Sequence, residues 1–178
     1  MTIELIDRIV EIEAERLKLR RIRNSDSALI ALYTGDARVA KTTSRIPHPL
    51  PPCATETFIA QAMKPDTDEL VWVIDGSQSG LPEVLGVISL KTMDRGQSAI
   101  GYWIAPGFWN NGYASEALRA ILKANPLGNR TIFAEVFQDN PGSARVLTNY
   151  GFDYLGDAES FCVSRNACVP TWTYIRNL

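Results

Sequence analysis

The chain has 178 residues, 46% of them hydrophobic, and carries a formal net charge of −2. That length suits one domain burying about 70% of its unfolded surface, and the apolar content excludes a disordered chain. A charge this close to zero, with no basic cluster, excludes a nucleic-acid surface as the main business of the protein.

Residues 1–15 read as an extension in which Ile3, Ile6, Ile9 and Val10 can share one helix face, packed on their own domain or against a second copy. Residues 16–178 read as a single domain. Arg16-Leu-Lys-Leu-Arg20 alternates polar and apolar residues, the pattern of a half-buried strand. Asn24 or Ser25 then caps a helix reaching about Thr34, with Gly35 placed to end it. The segment 41–52 contains Pro47, Pro49, Pro51 and Pro52 and is irregular, because proline removes donors and fixes φ. A second helix spans Ala54 to Lys64, with Pro65 just past its end. Leu70–Ile74 and Val84–Leu90 flank a loop holding Gly76, Gly80 and Pro82, so they form a hairpin.

A turn around Asp94-Arg-Gly96 leads to a fourth strand, Ser98–Ile104. The helix that starts at Gly112 and reaches about Ala124 buries Ala114, Ala117, Leu118, Ile121 and Leu122. Thr131–Phe137 is a fifth, buried strand, and Pro141 opens a short helix with Asn140 as its N-cap. Strands near Phe152–Arg165 and Thr171–Arg176 close the chain. The order β-α-α-β-β-β-α-β-α-β-β describes an α/β (α+β) domain around one mixed sheet. Cys53, Cys162 and Cys168 are odd in number, lack Cys-x-x-Cys spacing and have no histidine partners at metal-ligand spacing. They read as reduced thiols rather than a disulfide framework or a metal site, and with no signal pattern or long apolar run they point to a cytoplasmic protein off the membrane.

Two stretches carry the chemistry. In the first, a strand runs through a tight turn centred on Gly112 into a helix. That arrangement aims several backbone N–H groups and the positive end of the helix dipole at one spot, where a phosphate belongs. Gly112 either lets the backbone approach such a ligand or serves only as a turn residue. The second stretch is Phe137-Gln-Asp-Asn-Pro-Gly-Ser-Ala-Arg-Val-Leu147, followed by Asn149-Tyr-Gly-Phe152.

Together they resemble the GNAT superfamily of acetyl-CoA-dependent N-acetyltransferases, and within it the RimJ/RimL-like branch of ribosomal-protein alanine acetyltransferases. That family's marker is Gln/Arg-x-x-Gly-x-Gly/Ala, then Asn-x-x-Ser/Ala, with Gly-Phe eleven and twelve residues past the Asn. This chain has Gly112-Tyr113-Ala114, Asn140, Ser143, Gly151 and Phe152 at those spacings, and the resemblance spans about residues 15–178. Trp109 stands at the Gln/Arg position, a replacement familiar in the RimJ/RimL-like branch.

The resemblance implies a mixed, mostly antiparallel sheet flanked by helices and splayed between its fourth and fifth strands. It implies acetyl-CoA as cosubstrate, no metal, and direct transfer to a primary amine in a ternary complex. The acceptor is a peptide N-terminus or a small amine, and the protein a monomer or homodimer. The pyrophosphate would lie over the amides of Asn110, Asn111, Gly112, Tyr113, Ala114 and Ser115. The pantetheine arm would pair with Tyr102, Trp103 and Ile104 like an added strand. Asn140 has two readings, helix cap and partner of a pantetheine amide. Arg145 and Lys123 are candidates for the 3′-phosphate, or are merely solvated.

The acid and base are less legible. The family's usual acid, a tyrosine seven residues past the Asn, is replaced by Leu147. Ser143 stands where RimL-like enzymes place a serine as acid, at the cofactor site, and equally suits a helix's first turn. The fourth strand lacks a glutamate at Ser98-Ala-Ile100, which leaves Glu159, Asp157 and the lone His48 as bases. The vacant positions equally suit a CoA-binding sensor without catalysis. A nucleotide-binding module would want a Lys after the glycine loop or a Gly-x-Gly-x-x-Gly run, and has neither.

Overall fold

The computed structural model describes residues 11–178. The helical face expected from Ile3, Ile6, Ile9 and Val10 lies outside the described residues. Its neighbours Ile12–Glu13 form a short strand, β1, paired antiparallel with β2, Lys18–Arg21. The sheet continues with β3 (Glu69–Asp75), β4 (Gly86–Met93), β5 (Gln97–Ile104), β6 (Thr131–Phe137), β7 (Asp153–Cys162) and β8 (Ala167–Asn177), in spatial order β1-β2-β3-β4-β5-β6-β8-β7. All neighbours are antiparallel except β5 and β6. Five helices cover it: α1 (Ser27–Thr34), α2 (Ala37–Ala40), α3 (Ala54–Ala62), α4 (Tyr113–Ala124) and α5 (Pro141–Asn149). The short α2 stands ahead of the proline-rich stretch, capped by Asp36, whose side chain accepts from the Arg38 N–H.

Strand alternation sorts the core into two layers. Trp72, Ile88, Leu90, Ile100, Ala134 and Val136 pack with α4 and α5 on one face. Val71, Val73 and Val87 pack with Ile30 of α1 and Ile59 of α3 on the other. Arg20, expected on the polar side of a half-buried strand, is only 2% exposed. Its Nη2 donates to Asp26 at 2.8 Å and its Nε to Asp75 at 2.6 Å. Two carboxylates and a bidentate geometry offset the loss of water around one guanidinium.

The parallel pairing decides the shape of the molecule. Its register joins only Gln97–Ile100 of β5 to Thr131–Ala134 of β6. Beyond those residues β5 stays paired with β4 as far as Ile104, while β6 follows β8 to Phe137. The two strands therefore part, and the expected splay is present between the strands here numbered β5 and β6. Asn140 caps α5 at the mouth of this opening, its side chain accepting from the Ser143 N–H at 3.4 Å. That bond is long, so Asn140→Ala is expected to lower stability by about 1 kcal/mol or less, read by denaturant unfolding without ligand.

Candidate active site

The loop between β5 and α4 has the geometry of an anion cradle made of backbone. Gly112 has φ +79, a left-handed conformation that turns the chain into α4. The N–H groups of Asn110 to Ser115 take no hydrogen-bond partner among the described residues. They sit at the positive end of a 12-residue helix, where such orphan donors collect anions. Side chains tie the loop from behind. Asn111 Nδ2 donates to the carbonyls of Phe108 and Trp109, at 3.2 and 2.9 Å. Trp109, the residue that departs from the family marker, donates its indole N–H to the Ile104 carbonyl at 2.7 Å. Ile104 thus spends its carbonyl on the loop. Ala105 donates to the Leu85 carbonyl, so Trp103 faces β4, and the open edge of β5 narrows to Tyr102 and the Ile104 N–H.

A cavity of about 490 Å³ runs through the splay. Its lining includes Tyr102, Trp103, Glu135, Phe137, Asn140 and Ser143, so the structure brings together Asn140 and Ser143 from α5 with the end of β5. The loop residues Asn110 to Ser115 flank this cavity rather than line it. Glu159 does not reach it. Ser160 turns its hydroxyl towards Glu135, so by strand alternation Glu159 beside it projects from the other face of β7, where it is exposed. Asp157 is also exposed and accepts from the Tyr154 hydroxyl at 2.6 Å, and His48 is exposed in the proline-rich loop.

Two side chains whose chemistry the sequence reading passed over stand inside. Tyr102 Oη accepts a hydrogen bond from Ser143 Oγ at 3.0 Å and donates to the Ser143 carbonyl at 3.3 Å. Burial pushes the Tyr102 phenol up to about 12, against the opposing pull of the Ser143 hydroxyl. It is therefore a protonated donor at neutral pH. Glu135 lies across the opening, level with Gly101, since Ile100 pairs with Ala134 one residue earlier. Ala134 and Val136 belong to the α4/α5 face, so Glu135 projects from the opposite one. A hydroxyl pair thus faces the cavity from one side of the sheet, and a carboxylate from the other. Glu135 is the one charged residue of a largely apolar strand, a signal that could have singled it out but not told what it faces.

The far end of the cavity is polar too. Glu69 is held by Arg45 through two bonds of 2.7 and 2.9 Å and accepts from Ser89 Oγ at 2.7 Å. Burial opposes its charge, but Arg45 and Ser89 outweigh that and keep the carboxyl below its usual range. Between Glu69 and Glu135 the floor is Ala99 and Gly101, small enough to admit a substituent.

Comparison with known proteins agrees with this geometry. Residues 16–153 match the model of the acetyltransferase (GNAT) domain. An uncharacterized N-acetyltransferase of Bacillus subtilis (strain 168), YoaA, is 27% identical over 168 residues, covering 92% of this chain and 94% of its own. Among solved structures, the microcin C7 self-immunity acetyltransferase MccE, in complex with acetyl-CoA and AMP, superposes with a TM-score of 0.79. It is 16% identical over 92% of this chain and 93% of its own. RimL, the ribosomal L7/L12 alpha-N-protein acetyltransferase in complex with coenzyme A, also reaches 0.79, at 18% identity over 95% and 98%. At those identities the two structures speak for the fold alone. The domain match, the N-acetyltransferase relative and the splayed sheet with its glycine cradle agree, and the chain belongs to the GNAT acetyltransferase family.

Proposed function

We propose that the protein moves an acetyl group from acetyl-CoA to the α-amine of a peptide or protein N-terminus, directly and without a covalent enzyme intermediate. The observation that carries this reading is the opening between β5 and β6, with Ser143 and Tyr102 on one face and Glu135 on the other. The residues present fit the cosubstrate. The amides of Asn110 to Ser115 suit a pyrophosphate, and a Cβ at Gly112 would crowd that approach. The free edge at Tyr102 and the Ile104 N–H suits a pantetheine arm, with Asn140 close by. Acetyl-CoA, once bound, supplies an activated acetyl carbon and a thiolate leaving group.

Glu135 takes the proton released as the amine nitrogen bonds to the acetyl carbon, directly or through one water. A backbone N–H of β5 steadies the negative oxygen. Ser143 hands its hydroxyl proton to the departing sulfur as the carbon–sulfur bond breaks, and Tyr102 stabilises the Ser143 oxygen by turning its own O–H towards it. The amide product and a neutral thiol leave, and the proton held by Glu135 returns through water to the Ser143 oxygen, which restores both side chains. Residues 16–178 form the catalytic domain, and the three free thiols suit a cytoplasmic setting.

The preference for an N-terminus follows from proton cost. A lysine with pKa near 10.4 costs roughly 4.6 kcal/mol to deprotonate at pH 7, whereas an α-amine near 7.8 costs about 1.1 kcal/mol. A carboxylate is too weak a base to offset the larger sum. Turnover is therefore expected to rise with pH as the amine loses its proton. The test is one peptide bearing both amines, acetylated to partial conversion and read by fragment mass spectrometry. Acetate on the N-terminus is the expected result. Acetate mainly on lysine, or faster thiol release with small amines than with peptides, overturns the acceptor assignment.

A further inference from the structure

We propose that Arg16 is a positioning residue for the phosphate loop, cancelling a buried carboxylate that would otherwise repel the anion. The proposal rests on the reading that the loop before α4 takes the pyrophosphate of coenzyme A.

Residues 106–115 contain no lysine or arginine, so the cradle itself is all backbone. The first charged side chain after it is Glu116, in the first turn of α4 and only 5% exposed. Alone, an acid there favours the helix dipole, but it competes for the same positive end that the loop offers to a ligand. A second anion beside it would meet a like charge shielded by little water.

Arg16 removes that conflict. It sits at the tip of the β1–β2 hairpin, where the Ala14 N–H bonds to the Leu17 carbonyl at 2.9 Å. Ser79 Oγ donates to the Arg16 carbonyl at 2.9 Å and so pins the tip. From this anchored position the Arg16 N–H donates to Glu116 Oε1 at 2.6 Å, and Arg16 Nε donates to Oε2 at 2.8 Å. Both carboxylate oxygens are thereby engaged. Nη1 reaches the Asn111 carbonyl at 3.0 Å, turning that dipole towards the cation and away from the ligand. The guanidinium lies 4.7 Å over the Tyr113 ring. Nη2 has no hydrogen-bond partner among the described residues and stands 3.4 Å from where a Gly112 Cβ would be. One side chain thus neutralises Glu116, fixes the loop carbonyl and presents a spare donor beside the cradle.

The experiment measures affinity rather than turnover. Acetyl-CoA is titrated by calorimetry into wild type, R16Q, E116Q and R16Q/E116Q. S-acetylpantetheine, which lacks the pyrophosphate, is followed by ligand-observed NMR. R16Q is expected to weaken acetyl-CoA by roughly tenfold to a hundredfold, the worth of a charge-assisted contact. S-acetylpantetheine should be unaffected, and adding E116Q should restore about tenfold, because the uncompensated charge is then gone. Unchanged acetyl-CoA affinity in R16Q, equal losses for both ligands, or no recovery in the double variant overturns the proposal. If R16Q does not fold by circular dichroism, R16K carries the test. It keeps the charge but not the fork, so a several-fold loss confined to acetyl-CoA is expected, and equal losses for both ligands overturn the role. Failure of the wild type to bind acetyl-CoA defeats the cofactor reading itself, and the role of Arg16 with it.

Discussion

Ser143→Ala is expected to lower turnover by roughly a hundredfold while leaving acetyl-CoA affinity near that of wild type, the signature of a lost general acid. The alternative is a first-turn serine that serves only α5. That role predicts at most about 1 kcal/mol of lost stability and unchanged turnover. The contacts already separate the two. The helix cap uses the backbone N–H of Ser143, while its hydroxyl points to Tyr102. Removing the hydroxyl therefore spares the cap. Glu135→Gln should show a comparable fall in turnover that is relieved as pH rises, since hydroxide can then take the proton released as the amine bonds to carbon. Steady-state rates across pH, with melting curves on both variants, decide the matter. Full turnover in Ser143→Ala would remove the hydroxyl pair from the mechanism.

Gly112→Val is expected to abolish the rise in melting temperature that acetyl-CoA gives the wild type. A ligand at about a hundred times its dissociation constant adds roughly 2.7 kcal/mol, which for a chain of this size is a shift of about 5–10 °C. Valine is resisted twice over. At φ +79 a β-branched residue is strained by about 1–2 kcal/mol. Its Cβ would also stand 3.4 Å from Arg16 Nη2, with further methyl groups over the donors of the cradle. Gly112→Asn separates strain from obstruction, because asparagine accepts the left-handed region but still places atoms there. An intermediate shift is expected for asparagine. A valine variant that keeps the full shift would move the pyrophosphate elsewhere.

Much of this molecule was legible from spacing. Thr131–Phe137 is a strand over the span its apolar alternation indicated, and Gly112 takes the left-handed turn its position before a periodic helix required. Asn140 caps α5 as the Asn-Pro pair suggested. These features depend on contacts within a few residues, where propensity and periodicity act directly. The splay came instead from the resemblance, as did the expectation of acetyl-CoA, because no local pattern reports where two strands separate.

The proposed base, and the tyrosine that partners Ser143, were harder to read for a related reason. Looking for a carboxylate on the strand before the glycine loop found none, and order along the chain then favoured Glu159 and Asp157. Yet β7 is an edge strand, and alternation turns Glu159 away from the side where Ser160 meets Glu135. Tyr102 reads as one more aromatic in an apolar strand until α5 folds over it, bringing Ser143 from 41 residues away to 3.0 Å. Arg16 and Glu116 are 100 residues apart and meet only because the first hairpin lies against the start of α4. Arg20 looked solvated until Asp26 and Asp75 closed on it. Most strands, the Asn140 cap and the left-handed turn at Gly112 are readable from residue order, since each follows from backbone sterics and hydrogen bonding over one or two turns of chain. The cap expected at Asn24 or Ser25 is not made, and β1 lies where a helical extension was expected. Which charges and hydroxyls face one another is settled by strand register and by the point where β5 and β6 part, both set by packing between distant segments.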